Sequence, residues 1–530
     1  MVKASDFSRL SNFVRSHVLI ANLACVAILF YVSITIWMNT FPNGAIPGGF
    51  DDSSHFFKVW FLSYMWDKSR MIPRWCNYWY SGYPFLVYHN PLSYILALML
   101  KIGLNCSPVT AYRLTYLISY LSLSIGCYTL TRKLGGGNIH GLISGISILY
   151  APSMLQNLIV YGRYPFMLSL GLIPFGIYSF LKITDRSRPV IWMILTPLVW
   201  SVILLTHIVG FSYLIALAFS FLIMSERGRF KYNLVLFFYS LIVTMMVGSW
   251  WVLPLFFFYS YSHPEVCQAI LPPTLIIERA VWLPYVGLVL LTSVPLAIAR
   301  LVQRVDKKTK RSILALLLAF FGIFGFWTLS YIIEQHLPIY DSFIFKIIIP
   351  LRFLFDRACV LVELNLALLL GLTYPYVPFL LGFLKNQKIQ TAYKATIGIL
   401  IILLVVMDSE PFMLKSSYYP PMIWREISKY NDNMGRVLVF DIDSSLVPTV
   451  ANVEIAGGWH PPAAIGETLS LDYGLHNLAN ARNNLESFYN LLRNAWVSLI
   501  IINKNSTPKD HINSLIEDKK RMKITYQDED

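Results

Sequence analysis

Charged side chains are scarce in this sequence: 14% of its 530 residues, against 56% that are hydrophobic. That ratio excludes an ordinary soluble globular domain, and the mean hydropathy of +0.55 agrees. Cysteine is also scarce, six in all, with no spacing of the kind that holds zinc. Cys25, Cys127 and Cys359 fall in apolar runs as small buried residues. Cys76, Cys106 and Cys267 fall in loops expected outside, where Cys76 and Cys106 are candidates for a disulfide. No glycine-rich phosphate loop follows a strand, which removes the usual nucleotide cradle. No internal repeat marks two related halves, as transporters often show. The opening residues lack an h-region followed by a cleavage site, so the first apolar run is expected to be a retained anchor.

What is present is a series of apolar runs, at about 18–40, 108–131, 139–157, 164–182, 189–206, 208–224, 234–257, 280–301, 312–333, 354–381 and 394–408. Most approach the ~20 residues a helix needs to cross a bilayer, and the pair either side of His207 is short. Basic residues collect in alternate loops, among them Arg132/Lys133, Arg227/Arg229/Lys231 and Lys307/Lys308/Lys310/Arg311. This is the pattern of cytoplasmic loops, so the net charge of +14 is topological and needs no nucleic acid. The expected fold class is a polytopic α-helical membrane protein of about 11 spans. Residues 1–408 form the membrane domain, and 409–530 a small extracytoplasmic α/β domain. In that tail, "GRVLVFDI" and "WVSLIIINKN" read as buried strands and "ARNNLESFYNLLRN" as an amphipathic helix. The expected location is the plasma membrane, with the N-terminus cytoplasmic.

The first outer loop, 41–107, holds "GGFDDSSHFFKVWF" at 48–61. It reads as a helix capped by Asp52 or Ser53, with Phe56, Phe57, Trp60, Phe61 and Tyr64 on a wide aromatic face suited to the membrane interface. One aspartate is enough for a cap. A second, with a histidine one turn on, calls for chemistry: a carboxylate there can take a proton from an alcohol or help hold a divalent metal. Asp51, Asp52 and His55 are therefore the catalytic candidates. Trp75, Tyr80, Tyr88, His89 and Asn90 follow, serving either as a headgroup-level aromatic belt or as a wall on which a sugar stacks. Arg163 and Arg352 sit at the expected outer ends of spans, as anchors or as forks for phosphate. His207 joins them as a phosphate-site candidate or as a hydrogen-bonded structural residue. In "AGGWHPPAA", Trp459 and His460 lie in a turn that could lean over the membrane site. "GSWWVLPLF" (248–256) resembles the tryptophan-rich signature of oligosaccharyltransferases but lacks its acidic residue, and reads as packing.

Taken in order, Asp51 four residues before His55, "IPRWCNYWYSGYPFLVYHNPLSY", "LLTH" (204–207), "IPLRF" (349–353) and "AGGWHPP" resemble the polyprenol-dependent glycosyltransferase superfamily C. The match is nearest to its prokaryotic branch labelled 6-pyruvoyl-tetrahydropterin synthase-related. The resemblance implies a fold of that superfamily and inverting transfer of a sugar from a polyprenyl-phosphate carrier. It implies a glycan, lipid or protein acceptor on the outer face, with surrounding membrane lipids as further partners. It also implies an essential aspartate in the first outer loop, by position Asp51, with Asp52 leaving the assignment open. No cofactor follows beyond that divalent metal. The rival from another class is a transporter or flippase of lipid-linked saccharides, whose charges belong near mid-bilayer; there Glu363 is the clear acid. A scaffold that merely presents the tail would leave Asp51, Asp52 and His55 unexplained.

Overall fold

The computed structural model describes residues 4–41, 48–49, 51–79, 82–185, 189–259, 284–302, 305–336, 357–374 and 396–403. In the tail it describes 436–440, 497–502 and isolated positions 448, 489, 490, 492 and 493, with 393 also described before it. The chain divides into two compact units. The first comprises Met1–Asn43, Arg113–Ser249 and Gln268–Ser416; the second comprises Gly44–Tyr112, Trp250–Cys267 and Ser417–Asp530.

The helices in order are α1 (Ala4–Thr40), α2 (Asp52–Ser69), α3 (Leu92–Leu104), α4 (Pro108–Lys133), α5 (Asn138–Leu149), α6 (Pro152–Ile159) and α7 (Tyr164–Thr184). After them come α8 (Pro189–Thr206), α9 (Ile208–Ile223), α10 (Phe230–Tyr259), α11 (Pro284–Val302), α12 (Lys307–His336) and α13 (Ala358–Thr373). Among the described residues, five helices are long and apolar enough to cross a membrane, and α5 with α6, bent by 45°, makes a sixth. About 11 runs were expected. The remainder are shorter apolar helices at α8, α9, α11 and α13, plus helical residues 396–403. Length separates the two groups: His207 breaks one long apolar stretch into α8 and α9, each below a full span.

In the first unit α13 is the centre, buried at every position, and it packs against α5, α6, α11 and α12. The bend between α5 and α6 has a local cause. Ala151 precedes a proline and is extended (φ −61°, ψ 134°), and Pro152 then starts α6 where a missing N–H costs nothing. The other free N–H groups at that start are met from far away: Glu363 of α13 accepts from Ser153 N (3.0 Å) and Met154 N (3.3 Å). Helices α7 and α9 meet at Gly210, where an added Cβ would lie 1.7 Å from Ser169 Oγ.

In the second unit α2 packs against α3, and β1 (Trp75–Cys76) pairs antiparallel with β2 (Tyr83–Pro84). The aromatic face of α2 is covered rather than laid on a surface: Phe57 stacks on Trp79 with centroids 4.1 Å apart, and Phe61 meets Phe85 at 4.9 Å. Every residue from Asp52 to Val59 is buried. Cys76 and Cys106 are both free thiols, not a disulfide. Cys76 faces the core, where burial pushes its thiol up to about 12, and Cys106 Sγ turns to the Leu100 carbonyl at 3.8 Å. In the tail, β3 (Arg436–Phe440) and β4 (Val497–Ile502), the two runs expected as strands, pair in parallel. Parallel strands cannot be joined by a hairpin, and helical residues 489–490 and 492–493 lie on the connection.

Candidate functional site

The head of α2 gathers the acidic cluster in the second unit. Asp51 is the N-cap residue, half-buried, and its side chain makes no capping hydrogen bond. Asp52, not a cap, is fully buried. Its Oδ2 accepts from Gly49 N at 3.0 Å and its Oδ1 from the Tyr112 hydroxyl at 2.6 Å. His55 shares a hydrogen bond between Nδ1 and the Tyr94 hydroxyl at 2.7 Å, and its ring stands edge-on to His89 at 6.0 Å. The tyrosines hold Asp52 and His55, and Asp51 beside them is half-buried.

Lys58 joins this cluster and was not among the sequence candidates. It lies seven residues after Asp51 and three after His55, on the same helical face. Its Nζ donates to Ser54 O (3.1 Å) and Ser54 Oγ (2.9 Å) and sits 4.8 Å above the Trp79 ring. Burial pulls its ammonium down to about 7, opposed first by the charge of Asp51. The signal available in the sequence was the spacing 51, 55, 58.

The wall expected after α2 divides. Trp75 is half-exposed, Tyr88 and His89 are partly buried, and Asn90 is buried. Burial raises the Tyr88 phenol to about 12, so it remains a donor. The backbone just before them is strained: Leu86 has φ 58°, and the Trp251 indole donates to its carbonyl at 3.1 Å. Trp251 is the packing tryptophan of "GSWWVLPLF", here with a definite partner. Tyr80, Arg352, Trp459 and His460 lie outside the described residues.

In the first unit a basic cluster forms around α7. Arg163 is only 5% exposed, which excludes a side chain snorkelling to water. Its Nη1 donates to Asn157 Oδ1 at 2.8 Å, and its guanidinium lies 4.5 Å from the Tyr161 ring centre. Asn157 is itself fixed by donating to Ser153 O at 2.7 Å. His207 is the N-cap of α9, its Nδ1 accepting from Val209 N at 3.2 Å, with Phe166 beside it at 5.3 Å. Arg357 stands over the other side of that arrangement, 5.6 Å from the Phe166 ring. Burial, then the charges of Arg357 and Arg163, hold His207 well below the usual histidine range, so it stays neutral. Arg357 was also not a sequence candidate; attention fell on Arg352, five residues earlier. Glu363, the intramembrane acid, is committed to the start of α6.

No group of three His, Cys, Asp or Glu side chains that could hold a divalent metal comes together among the described residues.

A family model for the 6-pyruvoyl-tetrahydropterin synthase related domain, a membrane protein, matches residues 86–413. The chain belongs to that family. No curated protein matches it significantly. This member of the family has the fold of several solved glycosyltransferases. The arabinofuranosyltransferase AftD from Mycobacteria superposes with a TM-score of 0.61 at 15% identity, over 90% of this chain and 35% of that one. The oligosaccharyltransferase of Archaeoglobus fulgidus gives 0.60 at 11% identity, over 90% of this chain and 69% of that one. ArnT from Cupriavidus metallidurans, bound to undecaprenyl phosphate, gives 0.53 at 13% identity, over 81% and 85%. The family member thus spans about a third of AftD's length and most of ArnT's. At these identities the likeness is one of fold.

Proposed function

We propose that this protein is a glycosyltransferase that moves a sugar from a polyprenyl-phosphate carrier to an extracytoplasmic glycan, lipid or protein acceptor. The observation that carries this reading is Asp51: a carboxyl at the head of a helix, beside a second acid that two hydrogen bonds already occupy. Asp51 acts as the general base. It takes the proton of the acceptor hydroxyl as that oxygen bonds to the anomeric carbon, and the carbon–oxygen bond to the carrier phosphate breaks with its electron pair leaving on the phosphate. Arg163 and Arg357, with Arg352, meet the charge that gathers on that leaving group. Neutral His207 holds the α8–α9 turn beside them. Trp75, Tyr88, His89 and Asn90, with Tyr80, offer stacking and hydrogen bonds to the sugar or acceptor, and Trp459 and His460 are retained from the sequence for the same role. The fold shared with the Archaeoglobus fulgidus oligosaccharyltransferase AglB, solved with an inhibitory peptide and a dolichol-phosphate, and with ArnT, bound to undecaprenyl phosphate, supports a lipid-linked donor. A transporter would need its acid near mid-bilayer, and Glu363 is engaged in holding α6.

The test uses the detergent-purified chain with polyprenyl-phosphate sugars and extracted envelope acceptors, in parallel with saccharide transport into liposomes. Transfer of label without transport is expected; transport without transfer would overturn the assignment. Sidedness is checked separately by cysteine labelling. With Cys76, Cys106 and Cys267 replaced, Ser506→Cys should react with an impermeant thiol reagent on intact cells. Lys308→Cys, exposed on the opposite set of loops, should react only after the membrane is opened.

A further inference from the structure

Arg163 stands at the start of α7, and at the far end of the same helix a second polar site is built, wholly within the first unit. Here the ends of α4, α7 and α9 and the starts of α10 and α12 enclose a cavity of about 400 Å³. Five cations line it, Lys133, Arg229, Lys307, Lys308 and Arg311, against two carboxylates. Both carboxylates are already taken. Lys133 pairs with Asp185, and Glu226 accepts from Arg311 at 2.6 Å with Arg229 at 3.3 Å. Lys307 and Lys308 are exposed and make no ion pair among the described residues.

Deeper in, Asn233 lines the same cavity and is 5% exposed, yet its side-chain oxygen has no hydrogen-bond partner. Buried amides are normally satisfied, so an orphan against a cavity points to an occupant that supplies the missing partner. Turning the amide over would present its NH₂ instead, so the group can serve a phosphate oxygen or an adjoining hydroxyl. Cations at helix C-termini and on an inner face have an ordinary explanation in the helix dipole and in topology. Neither cause accounts for a cavity of this size or for the orphaned amide.

We propose that this cavity binds the phosphate headgroup of an anionic membrane phospholipid. A lipid is favoured over a free phosphate because the surrounding surface is apolar: Phe219 and Ile223 of α9 are exposed beside a basic helix end, as residues facing acyl chains are. Basic pockets between membrane helices on the cytoplasmic side suit such headgroups. The site is independent of sugar transfer and would stand if the transferase assignment failed.

The test uses the full chain in nanodiscs of phosphatidylcholine, with or without phosphatidylglycerol, reading retained lipid by native mass spectrometry and the thermal midpoint. The wild type should retain phosphatidylglycerol selectively and melt several degrees higher with it. Lys307→Gln with Lys308→Gln should reduce that retention roughly thirtyfold, since two cations near an anionic surface are removed together. Lys310→Gln, on the same helix but not lining the cavity, should leave it unchanged. Asn233→Leu is the second variant: it removes the orphan, so it should melt no lower in phosphatidylcholine alone while still losing selective retention. Equal retention in all four proteins would overturn the site. A matching shift from free glycerol phosphate in phosphatidylcholine discs would overturn the membrane source.

Discussion

The acidic cluster and the basic cluster are assembled in opposite ways. Asp51, Asp52, His55 and Lys58 all come from one turn-and-helix segment, and their fixing partners Tyr94 and Tyr112 lie within about 60 residues. Asn157, Arg163, Phe166, His207 and Arg357 come from four separate segments, and Glu363 reaches its partners across 210 positions. A cluster on one helix has its spacing set by that helix, with Tyr94 and Tyr112 orienting two of its side chains. A cluster gathered from several helices exists only when those helices are packed. In the first, substitution at Asp51 should separate chemistry from folding while substitution at Asp52 strips buried hydrogen bonds; in the second, substitutions should mix the two throughout.

The largest effect belongs to Asp51→Asn, which should lower turnover by ~10²–10⁴, the usual contribution of a general base. Its thermal midpoint should move little, because asparagine serves at a helix N-cap about as well as aspartate. Asp52→Ala makes the contrast: it orphans Gly49 N–H and the Tyr112 hydroxyl and should destabilise by about 1–3 kcal/mol in thermal unfolding. A loss of activity from Asp52→Asn equal to that from Asp51→Asn would erase the distinction between the two acids.

In the basic cluster, Glu363→Ala should destabilise by a similar ~1–3 kcal/mol, because it frees two buried N–H groups, while Glu363→Gln recovers part by keeping one acceptor. If both variants melt like the wild type, the bend at α6 does not depend on that carboxylate. Arg163→Ala should weaken donor use about tenfold in KM, and more than Arg163→Lys, which keeps charge without the fork. Arg357→Ala should behave alike, and unchanged donor KM in both would leave these arginines with packing alone.

The smallest effect is the pH dependence set by Lys58. Its folded value, about 7, lies below the ordinary lysine value, so the folded state binds fewer protons than the unfolded state between the two. That group's contribution is therefore complete above the ordinary lysine range and is lost as pH falls through about 7. Lys58→Met should consequently gain most, relative to the wild type, at pH ~6 and least at pH ~10, read as thermal midpoints in detergent. A constant offset across that range would mean Lys58 is not buried as an ammonium.

The same contrast decides what could be read from the sequence. Asp51 and His55 were legible because four residues make one helical turn. Lys58 on the same face was not singled out, since a lysine on a helix is ordinarily solvated. The apolar runs gave the helices, and the tail's two β-rich runs gave β3 and β4. The runs either side of His207 were legible as short, but the sequence did not reveal that the helices at α11 and α13 fall short as well. Nor did it reveal that Glu363, conspicuous as an acid among apolar residues, serves helix α6. The Cys76–Cys106 pairing failed for a related reason: spacing in a loop says nothing about which way β1 turns its side chains.

Gly210 sets a limit on how this protein can change. With Ser169 Oγ where a methyl group would need to be, α7 and α9 touch without slack. The turn carrying His207, three residues before that contact, is thereby pinned like the end of a clamped beam. It cannot slide along α7 unless the two helices first part. Bulk added at position 210 would therefore have to be accommodated by parting α7 from α9, and the His207 turn would travel with whichever helix moved, so this seam keeps one fixed gauge.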